Sequence, residues 1–239
     1  MTLANFPFLI ALLGIQFSAQ ASITPLALEV LAMPEQNRIQ IASEKSGEMY
    51  PALIRISQSE TEVMQTRWKA LTLAAQLNPQ RALPELEKQL KSPQWFMRNA
   101  ALIAMQTQAP KLAQKAALEL IKDKALVVRS AAVEVLSPDL DSAARDLLWD
   151  EMEAKYNFRK EQSLWIREQI LAKLAQFPQS REASFFYKAL REKNSKIHAP
   201  AILALENLNQ KKLGKVGFKT AQKRELWLQW AKTHTSELN

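Results

Sequence analysis

The feature that most constrains the fold of this chain is a short pattern that recurs five times. The five segments align on four arginines and one histidine, here called the anchors: Arg67, Arg98, Arg129, Arg167 and His198. Successive anchors are separated by 31, 31, 38 and 31 residues. A period of about thirty residues fits a unit of two helices joined by a short turn. The third interval is longer by seven residues, close to two helical turns, so it predicts a lengthened helix whose faces stay in place.

The residues around each anchor indicate a helix with one buried face. Apolar residues recur one position before the anchor and three and four positions after it, as in Val128, Ala132 and Val133 around Arg129. These offsets fall on one side of an α-helix, so the pattern predicts a core stripe. A second amphipathic helix is predicted upstream, with an apolar residue eight positions before three of the anchors: Leu90, Ile121 and Leu190.

The composition excludes several kinds of functional site. The chain has no cysteine, which removes disulfides, thiolate nucleophiles and cysteine-bound metals. It has four glycines without a phosphate-binding loop, and its two histidines, His198 and His234, lack the spacing of metal ligands. Six carboxylates between Asp139 and Glu153 are expected on a solvated face of the lengthened helix, not in acid–base chemistry. The sequence thus predicts a protein that is not an enzyme and has no cofactor and no metal site.

One segment carries a resemblance to a known family. Residues Val127 to Leu136, VVRSAAVEVL, resemble a short HEAT repeat of the bacterial HEAT and phycobilisome-lyase-like variety, and the resemblance extends over residues 50–208. It implies an all-α fold, a right-handed α-solenoid of about five HEAT-like helical hairpins with capping helices at both ends. In that family an aspartate six residues before the arginine often pairs with it. Only Asp123 fits this place, and the other repeats have Thr61, Ser92, Glu161 and Glu192 there.

The N-terminus has the pattern of a secretory leader. An uncharged run, Phe6 to Ile15, precedes Ala19-Gln20-Ala21, which fits a small-x-small cleavage site. The run is too short to span a bilayer, so the chain is predicted to be exported to the periplasm and soluble after cleavage. The predicted segments are a signal peptide (1–21), N-terminal capping helices (22–58), a repeat stack (59–208) and a basic C-terminal capping segment (209–239).

A partner-binding face is predicted on the anchor helices. Positions two before, one after and five after the anchor cluster opposite the core stripe, and many of them are apolar or aromatic. The candidate residues are Trp68, Phe96, Asn99, Ile103, Val127, Ser130, Glu134, Trp165 and Glu168. The alternative is that neighbouring helices bury these side chains.

The C-terminal quarter of the chain carries most of the positive charge. Residues 181–239 hold twelve basic and five acidic residues, a net charge of +7 out of +8 for the whole chain. The densest part is formed by Lys211, Lys212, Lys215, Lys219, Lys223 and Arg224. This basic end can attract an anionic surface. The alternative is a solvated cap that keeps the stack soluble.

Three functions follow from these features. The first is a non-catalytic scaffold or adaptor of the cell envelope that binds another protein through a concave helical-repeat surface. The second is a binder of an anionic polymer or lipid surface that uses the basic end. The third is a HEAT-like DNA glycosylase or lyase, since the chain is basic and has six tryptophans. The basic residues lie at one end instead of along the groove, and the leader directs the chain away from chromosomal DNA, so nucleic acid is not the expected partner.

Overall fold

The computed structural model describes residues 23–234, and this part of the chain is almost entirely helical. It contains thirteen α-helices: α1 (residues 23–32), α2 (Glu35–Glu44), α3 (Ser46–Gln58), α4 (Met64–Leu77), α5 (Pro79–Gln89), α6 (Trp95–Gln108), α7 (Pro110–Leu120), α8 (Leu126–Val135), α9 (Ser142–Glu153), α10 (Trp165–Leu174), α11 (Ala183–Arg191), α12 (His198–Leu208) and α13 (Thr220–Thr233). Within residues 23–234 the β-structure is limited to one hairpin, β1 (Phe158–Arg159) and β2 (Gln162–Ser163). The predicted all-α class is confirmed.

The predicted segments map onto these helices as follows. The signal peptide and its cleavage position after Ala21 lie outside the described residues. Helices α1, α2 and α3 fall within the predicted N-terminal capping segment, and α13 falls within the basic C-terminal segment. Among residues 23–234, no helix combines the length and apolar character required to cross a bilayer.

The chain divides into two compact units, Met1–Ala116 and Ala117–Asn239, and α7 crosses the boundary. In the first unit α4 packs against α3, α5 and α6, and α2 contacts α3 and α4. In the second unit α10 packs against α8, α9 and α12, while α11, α12 and α13 contact one another. Within each unit, therefore, the helices that begin with an anchor pattern pack side by side.

The predicted core stripe is confirmed by the burial of its members. Three positions after the anchor, every residue is completely buried, and the position four after it is buried in all five repeats. Four of the five residues directly before an anchor are also fully buried, and Thr66 is the half-buried exception. Small side chains such as Ala70 and Ala101 let neighbouring helices approach closely. The repeated pattern is thus a set of buried positions that form the core.

The anchors bind carbonyl groups at the end of the preceding helix or in the turn that follows it. Arg67 Nε donates a hydrogen bond to Ser57 O in the last turn of α3, at 2.9 Å. Arg129 Nη1 donates to Asp123 O at 2.7 Å, and Arg167 Nε donates to Met152 O at 2.6 Å. The last carbonyl groups of a helix lack partners within that helix and carry partial negative charge. Arg67 and Arg167 supply the missing donor to their helix ends, whereas Arg129 binds the turn after α7, which ends at Leu120.

The two remaining anchors, Arg98 and His198, also bind a carbonyl group in the turn after the preceding helix. Arg98 is half-buried and its Nη1 donates to Ser92 O at 2.8 Å. His198 Nε2 lies 2.9 Å from the carbonyl of Glu192, the residue after α11. The Glu192 carboxylate itself binds Arg167 of the preceding repeat with two hydrogen bonds, at 2.7 and 2.8 Å. This single turn residue therefore contacts two successive anchors.

The prediction that the long interval lengthens a helix is wrong. Helix α9 has 12 residues, fewer than α4 or α6, and the additional residues form a short 3-10 turn and the hairpin of β1 and β2. Phe158 of β1 lies against the guanidinium of Arg167, with its ring centroid 4.4 Å from Cζ. Insertion into the turn leaves both flanking helices in register, because the anchor still reaches the end of α9.

The hairpin turn has an unusual composition. Its two central residues, Lys160 and Glu161, have φ angles of 50° and 62°, in the left-handed region where glycine and asparagine are the usual choices. A side chain with a Cβ costs roughly 1–2 kcal/mol in that conformation. The turn is held in this strained form by the strand pairing of Phe158 with Ser163.

Glycine at the second turn position is expected to stabilise the protein. For Glu161→Gly we expect the free energy of unfolding to rise by about 0.5–1 kcal/mol, because relief of the left-handed strain exceeds the added chain entropy. Urea unfolding followed by circular dichroism measures the change. The matched control, Arg159→Gly, lies in β1 without a positive φ and should be destabilising. Equal effects of the two changes would contradict the strain argument.

A buried ion pair links α9 to the turn before α11. Arg145 Nε donates to Glu182 Oε1 at 2.6 Å, and both side chains are 1% exposed. The carboxylate also accepts hydrogen bonds from Trp149 Nε1, at 3.0 Å, and from the backbone of Gln179, at 2.9 Å. Arg145 Nη2 donates to Leu174 O at 2.9 Å. Every charged group in this cluster therefore has partners that compensate for its removal from water.

Breaking this pair on one side should be costly. Arg145→Met leaves the Glu182 carboxylate buried without its cation, and we expect the free energy of unfolding to fall by about 3–5 kcal/mol. The double variant Arg145→Met, Glu182→Leu removes both charges and should lose less than the sum of the single changes. Denaturant titration of the parent, of Arg145→Met, of Glu182→Leu and of the double variant checks this cycle. Additive losses would show that the pair is not coupled.

The carboxylates between Asp139 and Glu153 are not all solvated as predicted. Asp141 caps α9, since its Oδ1 accepts a hydrogen bond from Ala144 N at 2.8 Å. Glu151 is buried, and Tyr156 Oη donates to its Oε1 at 2.7 Å. Burial and this hydrogen bond raise the pKa of Tyr156 to about 12. Five of the six carboxylates are exposed, and Glu151 is a structural acceptor.

Candidate functional site

The predicted partner-binding face is most open in the second unit. Large apolar side chains at the predicted positions are exposed on three packed helices: Val127 of α8 at 45%, Trp165 of α10 at 49% and Leu203 of α12 at 48%. Val127 and Trp165 stand two residues before their anchors, and Leu203 stands five after. These three residues are called the apolar row below. Offsets of −2 and +5 fall on the same side of a helix, two turns apart, and exposed apolar side chains on the same side of neighbouring helices are typical of interaction surfaces.

Polar contacts between α8 and α10 hold the edge of this row. Trp165 Nε1 lies 3.4 Å from Ser130 Oγ, which in turn donates to Gln169 Oε1 at 2.8 Å. Gln169 Nε2 donates to Glu134 Oε1 at 3.3 Å. The Trp165 ring is thus oriented by a contact with the neighbouring repeat while about half of it faces water. A preoriented aromatic side chain loses little conformational entropy when it binds a partner.

A lysine joins the same two helices at the other end of α8. Lys173 Nζ donates to Leu136 O at 2.7 Å and lies 3.4 Å from Glu134 O. Burial lowers the pKa of Lys173, and the Glu134 carboxylate opposes this shift. A cation at the C-terminal end of a helix interacts favourably with the helix dipole. The apolar row is therefore bordered by charged groups that are already engaged in binding α8 to α10.

The position directly after the anchor is less exposed than predicted in four of the five repeats, and Ala199 is the exposed exception. Asn99 is buried, while Trp68, Ser130 and Glu168 are half-buried. Trp68 Nε1 donates to Asn99 Oδ1 at 3.2 Å, between α4 and α6. This position lies on the flank of the helix and contacts the equivalent helix of the next repeat. Trp68, Asn99 and Ser130 therefore contribute to packing between repeats, as the alternative given by the sequence states.

In the first unit the predicted face is only partly accessible. Phe96 is half-buried beneath the guanidinium of Arg67, whose Cζ lies 5.4 Å from the ring centroid. Its other neighbour is Trp95, which meets it edge-to-face at 6.1 Å. Ile103 is exposed to 37%. The predicted aromatic residues of α4 and α6 are thus more involved in packing than the residues of the apolar row are.

The basic end consists of two kinds of residue. Lys211, Lys212, Lys215 and Lys219 are exposed in the loop between α12 and α13 or at its end. Lys223 is half-buried and pairs with Glu206 at 3.2 Å, and Arg224 donates through Nε to Leu190 O. Two of the six predicted residues therefore fasten α13 to its neighbours, and four are available to a partner.

The six tryptophans do not share one surface. Trp227 is completely buried beside Trp230 and Tyr187, where it joins α13 to α11. Trp149 is half-buried, stacks on Phe185 at 4.9 Å and binds Glu182. Only Trp95 and Trp165 are exposed. Four of the six tryptophans that supported the glycosylase alternative are therefore at least half-buried.

A groove beside the inserted hairpin was not predicted. It has a volume of about 460 Å³ and is lined by the hairpin, by Arg167 and by the turn from Glu192 to Asn194. Arg167 is bound on both its terminal nitrogens by Glu192 there. The hairpin left no signal in the sequence, because Lys160 and Glu161 are not typical turn residues. Among residues 23–234, no three histidine or carboxylate side chains gather in a way that could hold a metal ion.

Comparison with protein-family models and with curated proteins finds no match for this chain.

The apolar row and the buried tryptophan should respond differently to truncation. For Trp165→Ala we expect the free energy of unfolding to change by about 1 kcal/mol or less, because half of the side chain is already in water. For Trp227→Ala we expect a loss of about 3–5 kcal/mol from a fully buried site. Urea unfolding of both variants measures the difference. A large loss for Trp165→Ala would assign that residue to the core.

Proposed function

We propose that this chain is a non-catalytic, HEAT-like α-solenoid of about five helical hairpins that binds another protein through the apolar row. The recurrence of the anchor contact in all five repeats supports the helical-repeat architecture. The leader pattern of residues 1–21 supports export and a role in the cell envelope. The scaffold acts by offering a stiff surface on which a partner segment can be held.

The exposure of Val127, Trp165 and Leu203 is the observation that carries this proposal. A protein interface is organised around a few large apolar or aromatic anchors, with polar groups at its rim. The row supplies the anchors, and Glu134, Glu168 and Lys173 supply the polar surroundings. The chemistry fits a partner that presents an apolar face with donors and acceptors at its edge. Because the helices that carry the row are packed together, the surface requires little ordering on binding.

The decisive experiment maps contacts from the row directly. A photo-reactive phenylalanine analogue is placed singly at Val127, Trp165 or Leu203 in the mature chain, and envelope extract is irradiated with each protein. Val63 and Phe177, which are exposed apolar residues outside the row, provide matched control positions. We expect the same crosslinked protein from all three row positions and not from the controls. Equal crosslinking at the control positions would overturn the proposal.

The captured protein is then tested with purified components. We expect Trp165→Asp to weaken binding at least tenfold, because it removes an anchor of the interface and introduces a charge that must be desolvated. Phe177→Asp also replaces an exposed aromatic residue with aspartate, but outside the row. Its affinity for the captured protein should stay within about twofold of that of the parent. Isothermal titration calorimetry measures both, after circular dichroism has verified the helical content. An unchanged affinity for Trp165→Asp would contradict binding through the row.

A further inference from the structure

The loop between α12 and α13 presents an apolar side chain at its outermost point. Val216 has a relative exposure of 106%, the highest among the exposed large apolar residues of the described chain. It precedes Gly217, whose φ of 91° turns the backbone, and Phe218 N donates to Lys215 O at 3.2 Å across the turn. A β-branched apolar residue is an unusual choice for the tip of a turn, where Gly, Asn, Asp and Pro dominate.

The base of the loop is built to hold this tip in place. Gly214 has a φ of 98°, and a Cβ at this position would lie 2.8 Å from the Phe218 ring and 3.2 Å from Leu226 of α13. Phe218 therefore packs over the Gly214 backbone and turns its ring inward. Lys211 N donates to Glu206 O at 3.1 Å and continues the end of α12. Phe218, two residues after Val216, thus packs against the base of the loop, whereas Val216 faces water.

The charge around the tip has a single sign. Lys215 is adjacent to Val216, and Lys211, Lys212 and Lys219 are exposed within the same loop and at its end. The sequence from Asn207 to Arg224 contains no acidic residue. Four exposed lysines from a stretch of sequence that contains no acidic residue thus flank one protruding apolar side chain.

We propose that this loop docks onto an anionic phospholipid surface, with Val216 entering the interface and Lys211, Lys212, Lys215 and Lys219 contacting lipid phosphates. Basic residues near an anionic bilayer each add favourable electrostatic energy, and an apolar side chain gains further by leaving water. A soluble anionic polymer would engage the lysines but offers no apolar environment for the tip. The combination of tip and lysines selects the bilayer.

The absence of cysteine makes a direct probe of this contact possible. Val216→Cys gives a unique thiol that can carry an environment-sensitive fluorophore, and Val63→Cys gives a matched exposed valine far along the chain. The probes are mixed with phosphatidylcholine vesicles that contain phosphatidylglycerol, or with phosphatidylcholine alone. We expect a blue shift and a rise in intensity at position 216 with the anionic vesicles only. No change at 216, or an equal change at 63, would overturn the proposal.

Unlabelled variants separate the apolar and the electrostatic contributions. In vesicle co-sedimentation we expect Val216→Ser to lower the affinity about tenfold. Lys211→Gln with Lys212→Gln should lower it about 25-fold, near fivefold for each lysine. Lys111→Gln with Lys115→Gln removes the same charge from exposed positions of α7 and should have little effect. If the α7 pair lowers the affinity as much, net charge alone explains binding and the proposal fails.

Inorganic polyphosphate distinguishes a bilayer from a soluble polyanion. We expect Val216→Ser to bind polyphosphate as the parent does while losing vesicle affinity. If Val216→Ser binds both ligands as the parent does, the loop is a polyanion site and the bilayer proposal is wrong. Trp165→Asp should leave vesicle binding unchanged, so that failure of the protein-binding proposal and failure of this one are observed separately.

Discussion

The contact between each anchor and a carbonyl group at the end of the preceding helix, or in the turn after it, is the interaction on which the rest of the structure depends. The carbonyls at the end of a helix have no donor within that helix, and those of the turn that follows need donors as well. Arg67, Arg129 and Arg167 supply donors from the next helix, so each helix pair closes at one register. Once that register is fixed, the small and apolar residues three and four positions later face the core.

Much of this arrangement could be predicted because it is local. Arg129 acts on Asp123, six residues away, and the core stripe repeats with the period of a helix. The seven-residue insertion was misjudged because a length close to two helical turns fits a longer helix as well as a hairpin. The pair of Arg145 and Glu182 was not predicted at all, since the two residues are 37 positions apart and lie outside the repeated pattern.

The exposure of the candidate surfaces could likewise be predicted only where it depends on a single helix. The exposure of Val127 and Trp165 follows from their place opposite the core stripe, which a single helix determines. The burial of Asn99 depends on how closely the next repeat approaches, and that is a property of two helices together. Val216 and Phe218 are both apolar residues beside glycines, but one is fully exposed and the other packs on Gly214. Composition alone cannot separate them, because the backbone turn decides which side chain points outward.

Glu192 lies in a single turn and contacts the anchors of two successive repeats. Its carboxylate binds Arg167 of α10, and its carbonyl accepts from His198 of α12. In a linear array each repeat is stabilised by its own contacts and by those to its nearest neighbours. A residue that serves both kinds of contact increases the coupling between neighbours relative to the stability of either one. We expect helix pairs joined in this way to unfold together, so that fraying which begins at α13 stops at this turn.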